Sequence, residues 1–251
     1  MKGKIQVVIL AAGHGKRMQS ELPKVLIPLH GKPLVAHVLD AVRESGICNR
    51  PVVIVGQQRE LVMQTLGSDY EYIVQEEQLG TGHAVRSTKK ILEEKADHVM
   101  VLYGDHPFIS PETIKKLAEK HLQSDAKITM AIVKLIDFLE WKSIFYTNFG
   151  RVVRNSNGEI SKIIEFKDTS NDDERKIKEV NPSYFCFESK WLWKNLEKLK
   201  TDNVQKEYYL TDLVKIAMQD KEKIESVDID PQEALGVNSR AELEILEKLG
   251  A

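Results

Sequence analysis

A loop of small and basic residues follows an apolar stretch near the start of the chain. Residues 6–11 are almost entirely apolar and lead directly into Gly13, Gly15, Arg17 and Lys24. Glycines after a buried strand let backbone N–H groups approach a ligand closely, and such groups can surround phosphate oxygens. Arg17 can make a forked contact with a phosphate, and Lys24 can add a point charge. The loop therefore indicates phosphate binding, although a surface turn with solvated charges would have the same composition.

This loop differs from two common phosphate-binding sequences. It lacks the GxxxxGK[ST] pattern of the Walker A loop, and Met18 stands where the GxGxxG dinucleotide pattern requires its third glycine. The sequence therefore argues against a P-loop NTPase and against a plain dinucleotide-binding dehydrogenase.

A second polar loop, residues 75–84, contains Gln75, Gly80, Thr81 and Gly82. A glutamine amide offers a paired donor and acceptor, which suits the edge of a nucleotide base. The two glycines permit close approach of the backbone. The alternative interpretation is a polar loop that precedes a glycine-rich helix start.

A third loop begins with Gly104 and Asp105 after the apolar residues 99–103. A carboxylate at the end of a buried strand can hold a metal ion on phosphate groups, and a turn or helix-capping aspartate is the alternative. His83 and His106 do not have the HxH or HxxxH spacing of a metal pair. We expect these two histidines to pack or to form hydrogen bonds.

The elements that position these loops alternate between strand and helix. Apolar runs predict strands over residues 6–11, 51–55, 71–74, 99–103 and 127–133, and helical spacing predicts helices over 34–45, 57–66, 82–92 and 111–122. This alternation is typical of an α/β fold, and we expect a Rossmann-like, mostly parallel sheet with helices on both faces. Such sheets bind ligands at the carboxyl ends of their strands, where the three loops lie.

The second half of the chain is less regular. A turn at residues 155–158 predicts a hairpin of residues 150–154 and 159–165. A charged surface excursion over 171–178 follows. The pattern then predicts a strand over 180–187 and helices over 190–200, 209–220 and 240–249. Because no linker or repeat interrupts the pattern, we predict a single domain over residues 1–251.

Composition excludes several classes of protein. The 251 residues include 36 Lys and Arg against 38 Asp and Glu, a net charge of −2, which argues against nucleic-acid binding. No apolar run is long enough to span a membrane, and residues 5–12 predict a buried first strand rather than a signal peptide. The two cysteines, Cys48 and Cys186, form no CxxC motif. We therefore expect neither a disulfide scaffold nor a cysteine zinc site, and we expect a cytoplasmic location.

Three segments together resemble the sugar-phosphate nucleotidyltransferases: LAAGHGKRMQSELPKVL, VQEEQLGTGHAV and VLYGDHPFI. The resemblance is strongest to the uridylyltransferase domains of bacterial bifunctional N-acetylglucosamine-1-phosphate uridylyltransferases. FGRVV, IIEFKD, KEYYLTDLV and LGVNSRAEL follow in the family's order. The resemblance implies a fold of the nucleotide-diphospho-sugar transferase type. It also implies Mg²⁺-dependent transfer of UMP from UTP to N-acetylglucosamine 1-phosphate, with release of pyrophosphate.

The resemblance implies roles for individual residues. Residues 1–133 would bind the nucleotide and residues 134–251 the sugar phosphate. The catalytic residues would be Arg17, Lys24 and Asp105, and the Mg²⁺ ligands would be Asp105 and Asn238. The nucleotide-binding residues would be Leu10, Ala12, Gly13, Gly15, Lys24, Gln75, Gly80, Thr81 and Gly104, with Gln75, Gly80 and Thr81 at the uracil. The sugar-phosphate-binding residues would be Gly150, Glu165, Asn181, Tyr209 and Thr211.

Some positions depart from the family's pattern. Lys16 replaces the usual Thr, Phe166 stands where His is common, and Pro182 and Ser183 replace Thr-Gly. The segment between residues 134 and 150 is also longer than usual and rich in bulky side chains, namely Phe138, Trp141, Phe145 and Tyr146. Apart from Lys16, these changes flank the expected sugar pocket. They leave open two alternatives: another sugar 1-phosphate of the glucose, galactose or mannose type, or a non-catalytic nucleotide-sugar-sensing subunit.

The bifunctional members of the family continue into a β-helix of hexapeptide repeats that transfers acetyl groups. The 251 residues contain no such repeat. From this chain we therefore predict neither acetyltransferase activity nor the trimer that the β-helix builds.

Overall fold

The computed structural model describes residues 3–13, 15, 18 and 20–250. Its strands are β1 (Ile5–Ala11), β2 (Pro28–Leu29), β3 (Lys32–Pro33), β4 (Val52–Val55), β5 (Glu71–Val74), β6 (His98–Tyr103), β7 (Ile128–Lys134), β8 (Gly150–Arg154), β9 (Ile160–Ile164), β10 (Glu179–Asn181), β11 (Phe185–Glu188) and β12 (Ile224–Asp228). Its helices are α1 (Leu34–Ser45), α2 (Arg59–Leu66), α3 (Thr81–Arg86), α4 (Lys89–Leu92), α5 (Pro111–Leu122), α6 (Ile144–Asn148), α7 (Asp172–Arg175), α8 (Ser189–Leu196), α9 (Asp212–Gln219) and α10 (Arg240–Leu249).

The central sheet has the order β5-β4-β1-β6-β11-β7-β10-β8-β9, and β12 pairs with β7. Strands β5, β4, β1, β6, β7 and β12 all run in one direction, and β11 lies antiparallel between β6 and β7. Strands β8, β9 and β10 extend the sheet as antiparallel pairs. The predicted α/β fold with a mostly parallel central sheet is confirmed.

Two hydrophobic clusters cover the two faces of this sheet. In β1, Val7 and Ile9 belong to one cluster while Val8 belongs to the other, as the alternation of a strand buried on both faces requires. Helices α1, α5 and α10 pack in the first cluster, and α3, α8 and α9 pack in the second. The carboxyl ends of β1, β5 and β6 therefore open at one edge between two layers of helices.

Local signals define the boundaries of the predicted helices. Helix α5 begins after Ser110, whose side chain accepts a hydrogen bond from Thr113 N, with Pro111 in the first turn. Helix α1 ends at Gly46, which has a left-handed φ of 68°. Among the described residues, no helix is both long and apolar enough to cross a bilayer.

The structure departs from the prediction in both halves of the chain. The single strand predicted over 180–187 is wrong, because the chain turns at Ser183 (φ 65°) and forms two strands, β10 and β11. The helix predicted over 82–92 is two short helices, α3 and α4. Strand β12 was not predicted, because its sequence IESVD lacks an apolar pattern and its pairing with β7 is long-range.

Candidate active site

A cavity of about 360 Å³ opens at the carboxyl ends of β1, β5 and β6. It brings together residues from all three predicted loops and from the second half of the chain. The predicted site residues that line it are Leu10, Ala12, Gly13, Lys24, Gln75, Gly80, Thr81, Asp105, Gly150, Glu165, Asn181 and Asn238. The size falls within the usual range of small-molecule sites, about 300–1,000 Å³.

Other predicted residues lie behind the lining. Gly15 has a φ of +57°, and a Cβ there would lie 2.7 Å from Lys24 Cβ, so glycine leaves room for the Lys24 stem. Gly104 donates its N–H to Leu10 O at 3.0 Å and thereby joins β6 to β1. Tyr209 is buried at the start of α9. Arg17, the remaining catalytic prediction, lies outside the described residues.

Lys24 forms the charged centre of the cavity. Its ammonium group forms an ion pair with Asp105 and donates a second hydrogen bond to Asn238 Oδ1 at 3.1 Å. The Lys24 and Asp105 side chains are only 13% and 8% exposed. Burial by itself raises the pKa of the Asp105 carboxyl, but the adjacent Lys24 ammonium and the other neighbours lower it more, so this pKa lies below its usual value.

The oxygens of Asp105 and Asn238 also fit a magnesium ion. They already face one cation, the Lys24 ammonium, from two sides. One carboxylate and one amide oxygen suit Mg²⁺, which usually keeps several waters and binds substrate phosphates. Among the described residues, no group of three or more His, Cys, Asp or Glu could form an all-protein metal cage. The donor set therefore suits a metal ion shared with a phosphate ligand.

Gln75 is held in a defined orientation at the end of β5. Its Nε2 donates to Gly80 O at 3.2 Å and lies 3.1 Å from His83 Nδ1. Burial lowers the pKa of His83, so the ring is neutral near pH 7 and its Nδ1 can accept the second proton of the amide. Both donors of Gln75 are thus used, and its Oε1 is the group left to accept a hydrogen bond from a ligand.

The glycine loop beside Gln75 is fixed by the distant Tyr208. Tyr208 N donates to Leu79 O, and Gly82 N donates to Tyr208 O, each at 2.8 Å. A Cβ at Gly80, where φ is +106°, would lie 2.7 Å from Tyr208 O. Thr81 Oγ1 accepts from Leu210 N at 3.0 Å. Close packing against the Tyr208 backbone therefore requires glycine at position 80, whether or not a ligand is bound.

Another part of the cavity lining carries a half-buried carboxylate, Glu165. Thr211 Oγ1 donates to Glu165 Oε1 at 2.9 Å, which explains how Thr211 supports the site from outside the lining. Burial raises the pKa of Glu165, and the hydrogen bond from Thr211 only partly opposes this rise. A Cβ at Gly150 would lie 3.3 Å from Glu165 Oε1, so glycine keeps this carboxylate accessible.

The extra segment between residues 134 and 150 supplies part of the same lining. Its last residues, Asn148 and Phe149, line the cavity. The fully buried Arg151 donates hydrogen bonds to the carbonyls of Phe145, Tyr146, Phe149 and Arg175, and its guanidinium lies 5.3–5.7 Å from the ring centroids of Phe138, Tyr146 and Phe166. Three of the unusual aromatic residues, Phe138, Tyr146 and Phe166, are therefore neighbours around one arginine.

His83 and His106 form hydrogen bonds, as the sequence predicted. His106 Nδ1 lies 3.1 Å from the Tyr184 hydroxyl, which donates to Glu233 O at 2.7 Å. Because the Tyr184 hydroxyl donates its only proton to Glu233 O, His106 Nδ1 is protonated and donates to the Tyr184 oxygen. Burial lowers the pKa of His106 to about 4, which keeps the ring neutral near pH 7.

Sequence reasoning missed several residues of the lining. They are Val25, Gln78, Ala84, Tyr103, His106, Asn148, Phe149 and Glu207, whereas Pro182 and Ser183, which the sequence placed beside the sugar pocket, do line the cavity. Tyr103 and His106 were detectable, because they flank the predicted Gly104 and Asp105. Asn148 and Glu207 had no local signal, since only the tertiary fold brings their segments to the cavity.

Comparison with known families agrees with the position of the cavity. Residues 7–208 match the family model described as the MobA-like NTP transferase domain, which covers most of the chain and both sides of the cavity. The chain belongs to this family. It is therefore a nucleotidyltransferase.

This NTP transferase has relatives that carry the name bifunctional protein GlmU. It is 43% identical to the protein of Brevibacillus brevis over 241 residues, which are 96% of this chain and 50% of that protein. It is also 43% identical to the protein of Clostridium perfringens over 243 residues, which are 96% of this chain and 51% of that protein. The chain thus spans about half the length of these relatives.

Solved structures confirm the fold of this NTP transferase. A putative glucose-1-phosphate thymidylyltransferase from Bacillus anthracis superposes with a TM-score of 0.73 at 17% identity, covering 98% of this chain and 94% of that one. The nucleotide-diphospho-sugar transferase type that the sequence predicted is thereby confirmed.

Proposed function

We propose that this nucleotidyltransferase transfers UMP from UTP to N-acetylglucosamine 1-phosphate and releases pyrophosphate, with Mg²⁺ as its cofactor. The observation that carries the proposal is one cavity that holds the Lys24–Asp105–Asn238 cluster together with Gln75 and Glu165. These groups suit the three parts of a nucleotide and a sugar phosphate: the phosphates, the base and the sugar. The GlmU relatives support this assignment.

The orientation of Gln75 supports uracil as the base. Its free Oε1 can accept a hydrogen bond but cannot donate one, because Gly80 O and His83 Nδ1 use the two amide protons. Uracil presents an N3–H donor on its pairing edge, whereas the N3 of cytosine is an acceptor. We therefore expect UTP to bind and CTP to be rejected, since the wrong base leaves two acceptors facing each other.

The reaction would be an in-line attack of a sugar-phosphate oxygen on the α-phosphorus of UTP. Little base assistance is required, because the second pKa of a phosphate monoester is about 6 and the group is mostly dianionic near pH 7. The main obstacle is repulsion between two anionic phosphates, so the protein acts by positioning and by offsetting charge. Lys24 would supply a fixed positive charge, and Arg17 would add a second in the sequence-based assignment.

Asp105 and Asn238 would hold the metal ion. A bound Mg²⁺ would add positive charge at the phosphate oxygens and keep them in a reactive orientation. The chain's own part is to keep a carboxylate charged at a buried position. Lys24 achieves this, because its ammonium group lowers the pKa of Asp105 despite burial.

The sugar would bind against Gly150, Glu165 and Asn181. The Glu165 carboxylate can accept hydrogen bonds from sugar hydroxyl or amide groups, and Gly150 leaves space beside it. Asn148, Phe149, Pro182 and Ser183 also line this end of the cavity. These residues make a different sugar 1-phosphate, of the glucose, galactose or mannose type, the second candidate.

The test is pyrophosphate release with Mg²⁺ and UTP against N-acetylglucosamine, glucose, galactose and mannose 1-phosphates. CTP, TTP, ATP and GTP serve as nucleotide controls, and Asp105→Asn serves as the inactive variant. Turnover restricted to UTP with N-acetylglucosamine 1-phosphate supports the proposal. Turnover with UTP and another sugar establishes the second candidate. A preference for TTP, ATP or GTP contradicts UTP as the substrate, and a preference for CTP also contradicts the assignment of Gln75.

A substitution at Gln75 tests the base assignment separately. In Gln75→Leu, the preference for UTP over CTP should fall at least tenfold, because no acceptor remains for uracil N3–H. Gln78→Leu is the matched comparison, since Gln78 also lines the cavity and its Nε2 donates to the backbone carbonyl of Gln75. An unchanged preference in Gln75→Leu would mean that another group selects the base.

A further inference from the structure

Glu242, a residue of α10 with no assigned role, connects two segments of the cavity wall. Its side chain is 8% exposed and does not line the cavity itself. One carboxylate oxygen, Oε1, accepts from Asn148 Nδ2 at 2.8 Å, and the other, Oε2, accepts from Asn238 N at 2.5 Å. A single buried carboxylate thus satisfies two N–H donors that are 90 residues apart in the sequence.

The two partners belong to different segments of the cavity lining. Asn148 lies beside Phe149 and Gly150 on the sugar side of the cavity. Asn238 presents its Oδ1 to the Lys24 ammonium, which also contacts Asp105. Through these contacts, Glu242 joins the sugar-side wall to the residues proposed to hold the metal ion.

Both ends of this connection are held firmly. Arg151 donates to Phe145 O, Tyr146 O and Phe149 O at 2.6–3.1 Å, so carbonyls on both sides of Asn148 are fixed. At the other end, Ser239 Oγ accepts from Glu242 N at 3.3 Å and begins α10. Ser239 is thus the N-cap of the helix, and the contact from Asn148 is more than helix capping requires.

We propose that Glu242 is a positioning residue that orients Asn238 toward the divalent cation and fixes it relative to the sugar-side wall through Asn148. The proposal rests on the proposed function, because it assumes a metal ion at Asp105 and Asn238. The hydrogen bond to the backbone N–H of Asn238 fixes the backbone orientation of this residue. It therefore restricts the directions in which the Asn238 side chain can point. Residues that orient metal ligands commonly change metal affinity or activity by 10–100-fold when they are replaced.

Three substitutions separate this role from a structural one. Glu242→Met retains the length of the side chain and its helix-forming tendency but cannot accept either hydrogen bond. Glu242→Gln can still accept from Asn238 N and can donate to Asn148 Oδ1 once that amide turns. Glu244→Ala is the control, because Glu244 lies on the same helix with a side chain that is 60% exposed.

The measurements are Mn²⁺ affinity and the Mg²⁺ dependence of turnover. Mn²⁺ affinity is obtained from the electron paramagnetic resonance signal of free Mn²⁺ in titrations with protein and UDP-N-acetylglucosamine, with a protein-free blank for metal held by the nucleotide sugar. We expect Glu242→Met to weaken Mn²⁺ binding and to raise the half-saturating Mg²⁺ concentration, each by about 10–100-fold. Glu242→Gln should stay within about threefold of the wild type, and Glu244→Ala should be unchanged.

Asn148→Ala provides a test that leaves Glu242 in place. It should weaken Mn²⁺ binding less than Glu242→Met, by about three- to tenfold, because the Asn238 contact remains. It should also raise the KM for the sugar phosphate and leave the KM for UTP nearly unchanged.

Wild-type Mn²⁺ affinity in Glu242→Met overturns the proposal, whatever its melting temperature, because a purely structural role would lower stability alone. Should Glu242→Met not fold, wild-type Mn²⁺ affinity in Asn148→Ala overturns it instead. An inactive wild-type protein would refute the proposed function, whereas an active wild type with unaffected variants would refute only the role of Glu242.

Discussion

Replacing Lys24 with methionine removes the only positive charge that contacts Asp105 and Asn238 together among the described residues. Methionine retains much of the length of the side chain and its apolar stem. The substitution should therefore delete the charge with little change in packing. It should affect catalysis and stability for different reasons, and a second substitution separates the two.

The magnitudes follow from burial. Loss of one electrostatic donor at a reacting centre lowers kcat/KM by about 100-fold or more, or about 2.7 kcal/mol. The stability cost is larger, because the Asp105 side chain is only 8% exposed and would remain charged without a partner. Removing one member of a buried ion pair costs about 3–5 kcal/mol. The pKa of Asp105 should rise in the variant, since burial raises it and Lys24 no longer opposes this effect.

The assays are urea unfolding and pyrophosphate release on the same preparations. Because the folded Lys24→Met variant binds a proton more readily than the unfolded chain, its stability deficit should shrink as the pH falls through the raised pKa of Asp105. The double variant Lys24→Met/Asp105→Asn should recover most of the stability and none of the activity. Lys32→Met is the control, because Lys32 pairs with Asp40 at a site where both side chains are at least 29% exposed. This substitution should lower the free energy of unfolding by less than about 1 kcal/mol.

Two results would refute this reasoning. A kcat/KM close to that of the wild type in Lys24→Met would remove Lys24 from the catalytic assignment. Equal stability of the single and double variants would mean that the uncompensated Asp105 charge is not the source of the stability loss.

Three further predictions concern residues around and away from the cavity. Thr211→Val removes the hydrogen bond that lowers the pKa of Glu165, so this pKa should rise further. The acid limb of the pH profile of kcat/KM for the sugar phosphate should then move to higher pH. An unchanged acid limb contradicts a role for the Glu165 carboxylate. Arg151→Met should lower the free energy of unfolding by at least about 3 kcal/mol in urea denaturation, because four carbonyls lose their donor, and a smaller loss would mean that water replaces it. Burial lowers the pKa of His121 to about 4, so the unfolded chain binds more protons between pH 6.5 and 4. This difference should lower the free energy of unfolding by about 2 kcal/mol between pH 7 and pH 5. In His121→Gln, the free energy of unfolding should therefore decline less over the same pH range.

Local patterns were sufficient for the first half of the fold. Strands β1, β4, β5 and β6 and helices α1 and α5 lie where apolar spacing predicted them, within a few residues at each end. They are predictable because each buries its own apolar face and its ends carry local signals such as Ser110 and Gly46. The loops after β1, β5 and β6 follow from this order, since parallel strands place their carboxyl ends together.

The second half was less predictable because its order depends on distant contacts. The break between β10 and β11 needs Ser183 at a φ of 65°, which nothing in its side chain indicates. Strand β12 is held by pairing with β7, almost 100 residues earlier, rather than by its own pattern. The aromatic residues of 134–150 were visible in the sequence, but the packing of Phe138 and Tyr146 around Arg151 was not.

Residue types and their local spacing were enough to predict the α/β class, the three loops at one edge of the sheet, and the side chains suited to phosphate, base and metal. How these groups act on one another follows from the three-dimensional fold alone. It paired Lys24 with Asp105 across 81 residues, committed both protons of Gln75, and joined Asn148 to Asn238 through Glu242. The physical reason is that residue type and local spacing are properties of short segments. A hydrogen bond or a pKa, in contrast, depends on which distant groups share the same desolvated space.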